Sequence, residues 1–227
     1  MSDQSHQPSA PRIAGALYLA IAVFGGFSIG YVPQAIITQG DAGATATNLA
    51  ANLGLFKMGV LADIAVIVFE LALTVILYVM FRATHPTLSA LAMIARAGMI
   101  IVMGINLLIW VMPLTFLSDL LGQGEGENRM MMFFAAHDLG VYVWQLFFGV
   151  HLLALGWIIT QTRRAPRLLG WGLFIGAFGY LLQGIVKLMF VDLASLNLLI
   201  IALLVIVTIS ELGFAIWLLI WGPKRLA

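Results

Sequence analysis

A chain of 227 residues that is 62% hydrophobic and 9% charged cannot coat a water-facing surface, because soluble domains carry about 25% charged residues. With a mean hydropathy of +1.05, most of its surface belongs in lipid. A net charge of +1 offers nucleic acid no basic face, and the lack of cysteine excludes disulfides, thiolate metal sites and covalently attached haem.

In chain order, residues 1–11 read as a polar, Pro-containing disordered tail. They lack the basic segment and small-residue cleavage site of a secretory signal, so the first apolar run is expected to stay as a membrane anchor. Residues 12–222 form one membrane domain and residues 223–227 a basic tail. A span needs about 20 mostly apolar residues, since a helix rises about 1.5 Å per residue through about 30 Å of hydrocarbon. Six segments meet this: Ile13–Ile37, Val60–Phe81, Leu88–Leu117, Met132–Thr160, Leu168–Val191 and Leu193–Trp221. None alternates as a barrel strand would. The expected fold is all-α, a polytopic bundle of six transmembrane helices.

Lys and Arg set the expected orientation. With the N-terminus cytoplasmic, the inner side holds Arg12, Arg82, Arg163, Arg164, Arg167, Lys224 and Arg225, and the outer side only Lys57 and Arg129. Both termini are therefore expected in the cytoplasm, with the spans in the cytoplasmic (inner) membrane. Trp171 and Trp221 stand at interface depth on the inner side; Pro86, Pro166 and Pro223 fall in inner turns. Pro33 and Pro113 lie near the outer ends of the first and third spans, where a kink is tolerated. The longest loop, residues 39–59, predicts a short amphipathic outer helix capped by Asp41, with Leu49, Leu53 and Phe56 on one side and Thr45, Asn48 and Asn52 on the other. The run from Gly122 to Glu127 reads as a flexible acidic outer turn.

Spans one and five start alike, Ala10-Pro11-Arg12 then Gly15 against Ala165-Pro166-Arg167 then Gly170, and spans two and six each carry one central glutamate, Glu70 and Glu211. This suggests a parallel internal repeat. Gly172, Gly176 and Gly179 form a small-residue strip that permits close helix approach, within the chain in preference to a dimer.

Several stretches carry a family resemblance: Arg12-Ile13-Ala14-Gly15 with Leu17-Tyr18-Leu19, Gly40-Asp41-Ala42 with Ala46-Thr47-Asn48, and Leu61-Ala62-Asp63. His137-Asp138-Leu139-Gly140 followed by Phe147-Phe148-Gly149, Pro166-Arg167-Leu168-Leu169-Gly170 and Gly179-Tyr180-Leu181 continue it. In order and spacing these resemble the bacterial membrane family of domain of unknown function 4386, across nearly the whole chain. The resemblance implies a compact multi-span membrane protein and supplies no activity.

Ionisable groups at mid-membrane cost about 2.5–3.5 kcal/mol each on insertion scales, so each needs a partner, water or a function. Asp63, His137, Asp138 and Lys187 are expected at outer depth, and Glu70, Arg96, His151 and Glu211 deeper. Asp63 and Glu70, seven apart, share a helix face to within about 20°. His137, Trp144 and His151 form one stripe, Asp138 and Gln145 the stripe beside it, and Gln183 shares a face with Lys187. Two layers follow as an expectation: Lys187 with Asp63 or Asp138, near His137 and Gln183, and Arg96 with Glu70 or Glu211. Four acids then face two bases, and the carboxyls left without a cation are candidate proton carriers.

Catalytic signatures are absent. There is no His-Glu-x-x-His, no Gly-rich phosphate loop, no serine in a protease setting and no pair of haem ligands on separate spans. No cofactor and no metal are expected; the partners expected are the lipid bilayer and a second copy or another membrane protein. The leading reading is a structural or accessory membrane protein with a paired polar interior. The second is a small-solute or proton-coupled transporter using Asp63 and Glu70. The weakest is an intramembrane enzyme with His137 and Asp138 as base and acid. A cavity reaching Glu70 or Glu211 favours the second, and a dry core with every charge paired favours the first.

Overall fold

The structure, a computed structural model, describes residues 9–116, 125–162, 165–191 and 193–222. Residues 1–8 of the N-terminal tail, the C-terminal tail with Lys224 and Arg225, residues 122–124 of the acidic turn, and Arg163, Arg164, Asp119 and Asp192 lie outside the described residues, whereas residues 9–11, expected as the end of the N-terminal tail, are helical. The described residues are helical and contain no strand, and six stretches are long and apolar enough to cross a bilayer.

The first stretch is compound: α1 (Ser9–Gly25), a π-helical turn (Gly26–Tyr31) and α2 (Val32–Ile36). Pro33 explains the break. Its ring supplies no N–H and crowds the carbonyl one turn earlier, and the wider π turn relieves that clash. After α3 (Ala42–Ala51) come α4 (Leu53–Phe81) and α5 (Pro86–Val111), the latter continued by a 3-10 turn, Met112–Phe116, around Pro113. The last three helices are α6 (Glu125–Gln161), α7 (Arg167–Leu188) and α8 (Ala194–Ile220).

Two helices start earlier than expected. α4 begins at Leu53 and α6 at Glu125, about two turns before the apolar windows open. The polar residues that end those windows are compatible with helix: Glu125 and Glu127 sit in the first turn of α6, where the exposed N–H groups favour negative charge. They are therefore helical and not part of a turn.

The short loop helix forms as expected, with Asp41 capping it by accepting from the Ala44 N–H at 2.8 Å. Its polar face needs correcting. Thr45 is fully buried, its hydroxyl donating to the Asp41 carbonyl at 2.8 Å and accepting from the Thr38 N–H at 3.0 Å, while Leu53 and Phe56 belong to α4. α3 packs on the bundle: Leu49 and Ala46 join Val32, Ile36, Phe56, Trp110, Met130 and Phe134 in a buried cluster that closes this end.

The six spans stand in a ring in chain order, each packed on its sequence neighbours, with α8 closing back on α1. Close approach between neighbours relies on small residues. A side chain at Gly15 would lie 2.6 Å from the Ala215 carbonyl and the Leu219 amide of α8, and one at Gly170 would lie 2.8 Å from the Thr160 amide of α6. Each glycine thus meets the helix that precedes its own in the ring, the correspondence expected if spans one and two repeat as five and six. The strip Gly172, Gly176 and Gly179 receives Ser210, Val207 and Leu203 of α8, so it serves packing within the chain.

This yields a paired prediction. Gly176→Ala places a methyl within 2.7 Å of the Val207 amide and should cost about 1–3 kcal/mol by overpacking. Gly104→Ala, with nothing within 4 Å, should be neutral or gain up to about 1 kcal/mol from helix propensity. Unfolding in mixed micelles of the two variants measures the contrast.

Candidate functional site

The interior of the ring carries the polar chemistry, and Arg96 of α5 is its hub. Its side chain is fully buried, which is tolerable only if the charge is matched and the donors are used. The Nε and Nη2 groups both reach Glu70 Oε2 of α4 at 2.6 Å. Nη1 donates to the Tyr18 hydroxyl of α1 at 3.4 Å and meets His151 Nε2 of α6 at 2.8 Å. The guanidinium also lies over the rings of Tyr18 and Phe148, 5.2 and 5.7 Å from their centroids. One side chain thus ties together four of the six spans.

His151 is defined by its neighbours. Nδ1 lies 2.9 Å from the Ala92 carbonyl, which only accepts, and Nε2 faces Arg96, which only donates. The ring is therefore the neutral Nδ1–H tautomer, a relay between Arg96 and the α5 backbone.

Glu211 of α8 has a different environment. Arg96 gives its ion pair to Glu70, and Glu211 forms no ion pair among the described residues. Tyr180 of α7 donates to its Oε2 at 3.4 Å, and Tyr180 packs edge-on to Phe148. Between the two carboxyls lies a chamber of about 380 Å³, reached by Tyr18, Glu70, Arg96, Trp144, Tyr180, Thr208 and Glu211, its other walls apolar.

Two smaller voids flank the chamber along the bundle. Towards α3, one of about 20 Å³ touches Asp63, Asn106 and His137 and shares Met103 and Trp144 with the chamber wall. Here Asn106 Nδ2 donates to the His137 carbonyl at 3.0 Å, while its Oδ1 is buried without a partner. Towards the Arg82 end, one of about 10 Å³ lies behind His151 and touches Ser89, whose hydroxyl is likewise buried without a partner. A water needs about 10–15 Å³ and polar partners, so each small void is of the right size and polarity for one. Trp144 with Met103, and the Arg96–His151 contact, divide this file into three compartments.

The predicted residues therefore separate. Glu70, Arg96, His151 and Glu211 come together at the centre, and Asp63 with His137 at the small void nearer α3. The expected layer around Lys187 does not form: Lys187 is exposed at the end of α7 and makes no ion pair with Asp63 or Asp138. α7 and α4 are not ring neighbours, and Asp138, one residue on from His137, is turned about 100° away to the exposed side. The same rotation separates His137 from Asp138 as a base–acid pair; His137 instead points Nδ1 at the Asn106 carbonyl, 3.3 Å away. Gln183 is half-buried, and Gln145 is buried with its Oε1 unpartnered. Among the described residues, no three His, Asp or Glu side chains gather as a metal site.

Four participants are not singled out by the sequence: Tyr18, Tyr180, Asn106 and Ser89. Tyr18 and Tyr180 stand inside stretches that carry the family resemblance, which is the signal that could have found them. The family described as Domain of unknown function (DUF4386) matches residues 13–222. The chain belongs to the DUF4386 family. No curated protein and no solved structure matches it. In this DUF4386 chain the matched region contains the whole polar file, from Asp63 to Glu211.

Proposed function

We propose that this membrane protein is a proton-coupled carrier, in which protons pass along the polar file and a small solute occupies the central chamber. The observation that carries this reading is Glu211: a carboxyl without a fixed cation, facing a chamber of about 380 Å³ in the middle of a span. An accessory role calls for a dry core with every charge paired, which a chamber reaching Glu70 and Glu211 speaks against. The groups facing Glu211 are Tyr18 from α1, Glu70 from α4, Arg96 from α5 and Tyr180 from α7. With Arg96 and Glu70 cancelling each other, the charge of the chamber is set by whether Glu211 holds a proton.

The distribution of Lys and Arg supports placing the Arg12 and Arg82 end in the cytoplasm, and both termini with it. Protons then enter from the α3 side past Asp63 and leave past His151 and Ser89. The test is proton flux into liposomes containing the purified protein and a trapped pH dye, driven by an imposed membrane potential. Flux at least tenfold above protein-free liposomes is expected for the native chain, and equality between the two overturns the reading.

A further inference from the structure

We infer that the solute is a lipophilic cation, an ammonium-type headgroup on an apolar body, which reaches the chamber sideways from the bilayer between α1 and α8 and seats its charge beside Glu211. This deepens the carrier reading and rests on it for the transport step alone.

The route follows from how α1 and α8 diverge. At Gly15 the two backbones touch, with Ala215 and Leu219 so close that no side chain fits. About three turns further along the first span, where α1 meets the π-helical turn, side chains at Gly25 and Gly26 would meet nothing within 4 Å. Along this stretch Ala22, Gly25, Gly26 and Ile29 line the chamber, and of these Ala22, Gly26 and Ile29, spaced four and three apart on one stripe, are also exposed on the outside of the bundle. Thr208 and Leu212, spaced four apart on α8, do the same. Residues that both line a cavity and face outward, on two adjacent helices, mark the seam where that cavity opens. The neighbouring seam with α4 is shut, since Val66 is buried. The opening lies within the spans, so what faces it is acyl chain.

The ligand class follows from the walls. A route through acyl chains selects an apolar body, and the volume is in the usual range for a small-molecule site, about 300–1,000 Å³. The polar side chain at the opening, Thr208, donates its hydroxyl to the Leu204 carbonyl of its own helix, and charged groups are confined to the deep side. There Arg96 is already neutralised by Glu70 and stacked on Tyr18 and Phe148, so its charge and faces are in use. The remaining charge is the Glu211 carboxylate, with Trp144 and Tyr180 on the chamber wall. A carboxylate in a largely apolar chamber whose walls carry aromatic rings matches a cation whose charge is shielded by carbon. An anion meets only repulsion from it.

Equilibrium binding of tetraphenylphosphonium to the purified chain in nanodiscs tests this, with empty nanodiscs subtracted and no gradient present. Saturable binding at one per chain is expected, weakened at least tenfold in Glu211→Gln, with tetraphenylborate showing no saturable binding. Gly26→Trp, which plugs the opening from a position with free space around it, should slow association at least tenfold. Gly30→Trp, equally free of neighbours but off the chamber wall, should bind at the native rate and so reports on folding. Native affinity in Glu211→Gln, or equal saturable binding of the borate, overturns the cation site; native association in Gly26→Trp overturns the lateral route. Because binding needs no flux, a failed proton assay with intact binding would remove the carrier reading and leave the site standing, and the reverse result would do the opposite.

Discussion

Arg96→Ala should be among the most destabilising single substitutions in this chain, lowering stability by about 3–5 kcal/mol, because it strands a buried carboxylate. Arg96 and Glu70 are 0% and 4% exposed, so water cannot take over from the lost guanidinium. The same change also removes the Tyr18 and His151 hydrogen bonds and the two ring contacts. Arg96→Lys should recover little, since an ammonium cannot direct two N–H groups at Glu70 while a third bonds His151. Glu70→Gln should cost less than Arg96→Ala, because an amide still accepts from Nε. Combining Arg96→Met with Glu70→Leu should cost less than the sum of the two single changes, by about 1–3 kcal/mol of coupling. Unfolding of these variants in mixed micelles measures this. Full additivity would show that the pair does not act as a unit.

The distinction between these two glutamates is only partly legible in the amino-acid sequence. Span count, the capped loop helix and the inward stripe of His137, Trp144 and His151 all follow from hydropathy and helical period, because a membrane helix has few ways to place polar groups. Pairing is another matter. Depth narrows the partner of Arg96 to Glu70 or Glu211, and only the ring order decides: α4 is adjacent to α5, and α8 is not. The Lys187 layer fails for the same reason, since sequence reports depth and phase on each helix but not which helices touch. The early starts of α4 and α6 are hidden by Lys57, Glu125, Glu127 and Arg129, which depress hydropathy without interrupting a helix. The chamber itself has no sequence signature. It arises where Gly25 and Gly26, at the junction of α1 and the π-helical turn, face no partner, and the same residue type closes the bundle at Gly15 and Gly176.

That contrast makes Glu211→Gln the most informative functional change. Glu70 is held by a salt bridge, so replacing it confounds chemistry with folding. Among the described residues Glu211 has one hydrogen bond, from Tyr180 at 3.4 Å, and no ion pair, and glutamine keeps its shape and can still accept from that hydroxyl. Stability should therefore change by less than about 1 kcal/mol, in the range of a single neutral hydrogen bond. Proton flux should fall at least tenfold, because an amide cannot take up and release a proton at the one chamber carboxyl that lacks a cation. Glu211→Asp should restore part of the flux, since the titrating group is kept and only its reach is shortened by one methylene. Tyr180→Phe should leave flux largely intact if the hydroxyl only orients the carboxyl, and should lower it in step with Glu211→Gln if the proton passes through that hydroxyl. Dye-reported flux in liposomes, read beside micelle unfolding of the same preparations, separates the two effects. Native flux in a correctly folded Glu211→Gln chain would remove Glu211 from the proton path, and with it the reason for reading the chamber as the coupling site.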